Sequence, residues 1–345
     1  MVKRKTDRGI QLLRIISCLA VFICHFGQRL YFDSFSHDLF NFSQLGRFGV
    51  ELFFVVSGYL ACVSLSNGKS IFQFYKKRAL KILPLYYFCI LYFYITETHI
   101  FGNIPEDPMN LGWLRYIFCL NGIVPAEGYF WSNIGITWTI PVFMVFYLIA
   151  PLLIKIAKTT WRSVLLLIAF MGLAILVVNN KEGWFSAFLH MPCFLMGIVV
   201  YNAKKENNRF YTLLGFQLFV FAATFCEWNP YHLETTQLFE LFVIPSIFAS
   251  IVLVSEELKI HSKRALRRIN FLDEHSYTIY LVHGITFCGM IDKLDSNVYG
   301  DTPIGIIIRL FISIVVTFFL TIVIHQFVEK PIQSLFNNIN KAFAH

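Results

Sequence analysis

Apolar runs of about 20 residues recur along the chain, each followed by a short polar connection, from the first at 10–30 to the last at 303–325. Such a run, wound as a helix at about 1.5 Å per residue, matches the hydrocarbon thickness of a bilayer. Inside a bilayer the backbone must satisfy itself, which leaves helices or a closed barrel. The runs are continuous rather than alternating, so they predict helices. The chain therefore reads as all-α, a polytopic transmembrane bundle of about ten helices. They are placed at 10–30, 48–66, 80–97, 135–155, 162–179, 185–202, 210–227, 236–255, 275–292 and 303–325. Composition agrees: 57% of the 345 residues are hydrophobic and 14% are charged, against roughly a quarter charged in a soluble domain. A mean hydropathy of +0.61 argues equally against a disordered chain or a soluble globule.

The formal charge of +8 forms no single basic face, so nucleic acid is not the expected partner. Most Lys and Arg residues fall in every second connection, as in Lys3, Arg4, Lys5 and Arg8, then Lys76, Lys77, Arg78 and Lys81, then Lys263, Arg264, Arg267 and Arg268. Under the positive-inside rule this bias puts both termini in the cytoplasm. Seven of the eight Cys lie within or at the edge of apolar runs and Cys119 lies apart. With no CxxC pair they indicate neither a disulfide framework nor a zinc site. The first apolar run lacks a small-residue cleavage site and is expected to stay as a helix. The longest connection, 98–134, carries a half-length apolar patch near 113–120 and is read as an outer loop with a re-entrant or interfacial helix. There is no internal repeat of the kind many transporters show. One integral membrane domain, 1–345, is expected, with no separate soluble domain and an unspecified oligomeric state.

An ionisable side chain in hydrocarbon costs about 2.5–3.5 kcal/mol, so those inside the runs are functional candidates. They are Arg14, His25, Glu51, His190, Glu240, His283, Arg309 and His325. Eleven residues separate Arg14 from His25, about 16 Å along nearly one helix face. Glu51 begins the antiparallel second helix, where its carboxylate can approach His25 as the orienting partner of a general base; a purely structural pair is the competing reading. Arg78 and Lys81, one turn apart, share a face fit to grip phosphates, or simply to meet lipid headgroups. His190 and His283 read as hydrogen-bonded core, His325 as solvated near the interface, and Glu240 as a partner for Arg309. No ligand cluster suggests a metal, and neither a phosphate loop nor a GxSxG elbow is present.

Several strings occur together and in order: RIISCLAVFICH (Arg14 to His25), GVELFFVVSGYL (Gly49 to Leu60), RALKILPLYY (Arg78 to Tyr87), WTIPVFMVFYLIAP (Trp138 to Pro151), HMPCFLMG (His190 to Gly197), SYTIYLVH (Ser276 to His283) and FVEKPI (Phe327 to Ile332). With them the chain resembles the acyltransferase-3 family of integral membrane acyltransferases, which includes O-acetyltransferases of bacterial surface polysaccharides. The resemblance implies ten core helices, an acyl-coenzyme A donor entering from the cytoplasm and a hydroxyl acceptor, often a sugar. It carries His25 over as the catalytic residue and Arg14, Arg78 and Lys81 as donor-site residues, while Trp138, His190 and His283 are assigned to the substrate side. Phe143 and Met144 stand where many members carry acids, and His190 where an Arg often precedes the Pro.

The combined reading is a membrane O-acyltransferase moving acetyl from acetyl-coenzyme A to a hydroxyl of an envelope glycan, in the bacterial plasma membrane. Coenzyme A is a substrate here, and no permanently bound cofactor or metal is expected. The alternative is an exporter or assembly protein for a polysaccharide or lipid-linked sugar that reuses the same core without chemistry.

Overall fold

The computed structural model describes residues 7–29, 34–68, 70–100, 114–120, 136–179, 187–225, 242–255, 260–287 and 302–342. Among them every regular element is helical. In chain order they are α1 (Arg8–Gly27), α2 (Ser34–Gln44), α3 (Gly49–Ser66), α4 (Ile71–Tyr94), α5 (Leu114–Ile117), α6 (Thr139–Ile156), α7 (Thr160–Asn179), α8 (Ala187–Lys205), α9 (Arg209–Phe225), α10 (Ile244–Val254), α11 (Lys263–Ile285), α12 (Pro303–Ile324) and α13 (Lys330–Ala342). Among the described residues five segments are long and apolar enough to cross a membrane: Arg8–Gly27, His37–Ser66, Ile136–Ile156, Ala187–Lys205 and Pro303–Phe336. Thr160–Leu176, Arg209–Ala223 and Ile244–Val254 are shorter apolar helices.

Two helices begin well before the apolar runs that announce them. Ser70 starts α4 with a capping box, its hydroxyl accepting from Gln73 N while the Gln73 side chain accepts from Ser70 N. Ser262 caps α11 by accepting from Ala265 N. Lys76, Lys77 and the cluster Lys263 to Arg268, which the apolar runs leave in connections, therefore lie on helix, continuous in α4 with Arg78 and Lys81. Hydropathy marks where a helix is apolar, whereas caps mark where it starts. Asp7 and Thr302 cap α1 and α12 in the same way, the latter followed by Pro303 at the first helical position. The connection after α1 also holds a helix, α2, that runs through a 3₁₀ turn at Leu45–Phe48 into α3. Of the connection 98–134 the structure describes 98–100, the end of a π turn that continues α4, and 114–120, where the single turn α5 is tied to α4 by hydrogen bonds from the Tyr86 and Tyr87 hydroxyls to the Tyr116 and Ile117 carbonyls.

The core centres on α8, buried almost along its whole length. It meets α3 at two glycines: a Cβ on Gly58 would fall inside the Phe194 carbonyl, and one on Gly197 inside the Val55 carbonyl. Small residues of this kind let helix backbones touch where lipid offers no hydrophobic drive to associate. Asn202 on α8 donates to the Ala157 carbonyl at 2.6 Å, satisfying the end of α6. After α8, Glu206 accepts from Thr160 N at 3.0 Å and from Asn208 at 3.3 Å. The Thr160 backbone N–H is the main cause holding its carboxyl below the usual range. Around this core, α7, α9 and α12 expose Trp161, Leu165, Phe210, Phe221, Phe311 and Phe319. Such an apolar outer surface suits hydrocarbon and not water.

Candidate active site

A cavity of about 240 Å³ lies among α1, α3, α4, α6 and α11. The three cations picked out in the sequence, Arg14, Arg78 and Lys81, all line it, and Lys77 is a fourth. Among the described residues its lining includes these four cations and no carboxylate, and the Asp273 carboxylate reaches it through Arg14. Each arginine is held by its surroundings. The Arg14 guanidinium meets Asp273 at 2.7 Å and donates to Ser276 Oγ at 3.3 Å, both on α11. Arg78 lies over the Tyr147 ring, 4.7 Å from its centroid, and 5.5 Å from that of Phe74, a cation–π arrangement that restrains a long side chain. The Tyr277 hydroxyl donates to the Ile82 carbonyl at 2.8 Å and braces α11 against α4. The apolar remainder of the wall comes chiefly from Val50, Phe53, Leu60 and Phe143.

His25 stands in the last turn of α1, outside the cavity lining. Its Nδ1 lies 3.0 Å from Gln28 Oε1 and its ring centroid 5.1 Å from that of His283. His283 is 1% exposed, with Nδ1 3.3 Å from the Ile279 carbonyl and no hydrogen-bond partner on Nε2 among the described residues. Phe22 and Phe287 flank it. Tyr280 connects the two regions. Its ring lines the cavity and lies 5.7 Å from His283, while its hydroxyl is 3.0 Å from Thr139 Oγ1. The order is thus cation cavity, Tyr280, His283, His25, with Arg14 and His25 about 16 Å apart along α1.

Glu51 is buried in the first turn of α3, where a carboxylate complements the helix dipole. It acts electrostatically on the Cys193 thiol and the Tyr280 hydroxyl. The hydrogen bond recorded on the His25 ring goes to Gln28, so the partner expected of Glu51 is supplied from within α1. Trp138 and His190 form a ring pair with centroids 5.1 Å apart. Phe54 packs on both and on Phe143, which reaches the cavity wall. Phe143 stacks on Tyr147 and makes this wall aromatic.

His325 departs from its expected solvated state. Its side chain is 13% exposed and pairs with Glu329 at 2.5 Å. Thr278 donates to the other Glu329 oxygen at 2.9 Å, and the His275 ring lies 4.4 Å from that of His325. The cause is local: the helix continues beyond Ile324 as a π turn, and Glu329 falls beside His325 as its i+4 neighbour. Glu240, expected to pair with the buried Arg309, lies outside the described residues. Among the described residues no group of three His, Cys, Asp or Glu could hold a metal, and Cys18, Cys24, Cys62, Cys89, Cys119 and Cys193 are free thiols.

Reading the sequence for ionisable residues missed Asp273, Ser276, Tyr280, Lys77 and Gln28. A signal for part of this set was present: Ser276, Tyr280 and His283 are spaced i, i+4, i+7 and so share one face of a helix. Gln28 carries no charge, and a search keyed to charge passes over it.

The sequence model of an acyltransferase domain, that of the acyltransferase-3 family, matches residues 7–326. Among curated proteins the chain is similar to Acyltransferase MdmB of Streptomyces mycarofaciens, 26% identical over 42% of this chain and 38% of that protein. It is also similar to Putative acetyltransferase ORF330 of Acidianus two-tailed virus, 24% identical over 69% of this chain and 72% of the other. Nodulation protein 10 of Rhizobium leguminosarum bv. viciae is 23% identical over 80% and 81%. No solved structure matches the chain significantly.

Proposed function

The chain belongs to the acyltransferase-3 family of acyltransferase domains, and from that premise we propose that it is a membrane O-acyltransferase using acyl-coenzyme A, with acetyl as the acyl group. The acceptor is a hydroxyl of an envelope or exported polysaccharide or glycolipid. In this reading the chain crosses the bacterial plasma membrane about ten times with both termini cytoplasmic. The observation that carries it is the gathering of Arg14, Lys77, Arg78 and Lys81 around one cavity, separated from the His25 and His283 rings by Tyr280.

The cations hold the phosphates of the donor, because clustered Lys and Arg bind phosphate oxygens through charge-assisted hydrogen bonds. The thioester end then extends past Tyr280 toward His25. An alcohol is a poor nucleophile at neutral pH, so His25 takes the proton of the acceptor hydroxyl as its oxygen attacks the thioester carbonyl. The new C–O bond forms, the C–S bond breaks, and the departing thiolate takes its proton from the imidazolium. Trp138 and His190 sit behind the Phe143 wall on the substrate side. In this reading the acceptor is extracytoplasmic, which the place of His25 near the end of α1 remote from its basic N-terminus supports.

Coenzyme A release from acetyl-coenzyme A by the purified protein in nanodiscs tests this, with and without an envelope-glycan acceptor. Acceptor-stimulated release is expected in the wild type, with a loss of about 10²-fold or more in His25→Ala. Equal turnover by a correctly folded His25→Ala protein would refute the role of His25.

A further inference from the structure

A chain of side-chain hydrogen bonds ends on His25, and its direction is set at the far end. The Phe40 carbonyl can only accept, so the Ser43 hydroxyl donates to it at 2.7 Å. Ser43 Oγ is left to accept, and Gln44 Nε2 donates to it at 3.2 Å. That turns Gln44 Oε1 toward α1, where it accepts from Gln28 Nε2 at 3.4 Å. Gln28 in turn presents Oε1 to His25 Nδ1 at 3.0 Å. An amide oxygen has no proton to give, so Nδ1 carries the ring proton and Nε2 keeps the lone pair. The hydrogen bond on one imidazole nitrogen decides the chemistry of the other.

Backbone contact keeps the relay in reach. A Cβ on Gly27 would collide with the Ser43 side chain, one on Gly46 with the Ala20 carbonyl, and one on Gly49 with the Ser17 carbonyl. Three glycines thus press the segment from α2 into α3 onto the second half of α1, across a connection of few residues.

We propose that Gln28, oriented by Gln44 and Ser43, is the positioning residue of His25, fixing the Nδ1–H tautomer that leaves Nε2 as the base. The proposal rests on the function proposed above for its catalytic meaning. Gln28 touches no reacting atom in this scheme and acts through the imidazole. Its neutrality has a chemical consequence. A carboxylate at the same place would favour the imidazolium, whereas an amide orients the ring and leaves it uncharged and ready to accept a proton.

The experiment pairs kinetics with ¹⁵N spectroscopy on histidine-labelled protein in nanodiscs, using wild type, Gln28→Leu, Gln28→Glu, Gln44→Leu and His25→Ala, the last identifying the His25 signals. Wild type should show His25 protonated at Nδ1. Gln28→Leu should lose that preference and fall about tenfold or more in kcat, with KM for acetyl-coenzyme A unchanged. Gln44→Leu should show a smaller loss. Gln28→Glu, nearly isosteric, should keep Nδ1 protonated and move the acid limb of the pH–rate profile to higher pH, because the neutral ring is the active form and its partner now favours the charged one. Wild-type kcat and an unchanged tautomer in Gln28→Leu, with His25→Ala inactive, overturn the positioning role alone. Full turnover in His25→Ala overturns the proposed function instead, and the tautomer in Gln28→Leu still decides whether Gln28 orients the ring.

Discussion

The Arg14 guanidinium and the Asp273 carboxylate meet at 2.7 Å at the cavity wall, joining the first helix of the bundle to α11. Their side chains are 20% and 14% exposed, and Asp273 also accepts from Gln11 at 3.1 Å. Asp273→Asn removes the charge and keeps the shape. It should cost about 1–3 kcal/mol by leaving a largely desolvated cation short of its partner. The check is thermal unfolding of the protein in detergent, where an unchanged Tm would mean that Arg14 finds equivalent partners elsewhere.

In the proposed function the four cations that line the cavity act as a set. Changing Arg14, Arg78 and Lys81 together to Gln should weaken coenzyme A binding about 100-fold, taking about 1 kcal/mol for each lost phosphate contact and about 1.4 kcal/mol per tenfold. The wild-type affinity should also fall with added salt and the triple variant's should fall less. Calorimetric titration with coenzyme A at two ionic strengths measures both, and an unaltered Kd in the triple variant would remove the donor site from this cavity.

Tyr280 closes the cavity on the side of the histidine pair. Tyr280→Phe loses one hydrogen bond, that to Thr139, and should cost about 1 kcal/mol of stability. Tyr280→Ala opens the wall. Its kcat/KM should fall with acetyl-coenzyme A and fall less with butyryl-coenzyme A, since the longer chain fills the new space. Competition between the two donors reads the ratio, and identical losses for both would show that the ring does not limit the acyl group.

The α3 and α8 contact separates two kinds of glycine. Gly197→Val places atoms inside the Val55 carbonyl and should destabilise by more than about 3 kcal/mol, seen as loss of monodisperse protein. Gly172 in α7 and Gly215 in α9 have open space where a Cβ would go. Alanine at either should be neutral or stabilise by up to about 1 kcal/mol, the ordinary gain of a helical Gly→Ala change.

Much of the architecture was legible because hydrocarbon admits few backbone solutions. Among the described residues each apolar run contains a helix, and Arg14, Arg78 and Lys81, singled out as cations in or beside an apolar run, line one cavity. What escaped was set by other forces. The early starts of α4 and α11 depend on the capping of Ser70 and Ser262, which hydropathy does not register. α2 lies in a connection too polar to count as a run. His325 looked solvated because its depth was judged without Glu329, its i+4 neighbour on the helix that continues past Ile324. Glu51 was chosen as the partner of His25 for its charge, and the hydrogen bond recorded on the ring goes to an uncharged neighbour three residues along the same helix.

The early start of α4 bears on kinetics. Lys77, Arg78 and Lys81 project from a capped helix, and Arg78 is already laid against Tyr147. A phosphate group arriving at this wall therefore meets donors with little left to order. Fixing a flexible side chain at an interface costs about 0.5–1.5 kcal/mol each, and a loop carrying the same three residues would incur that cost together with its own backbone entropy. Donor association should then proceed in one step, at a rate set by diffusion and charge steering, with no slower ordering phase behind it.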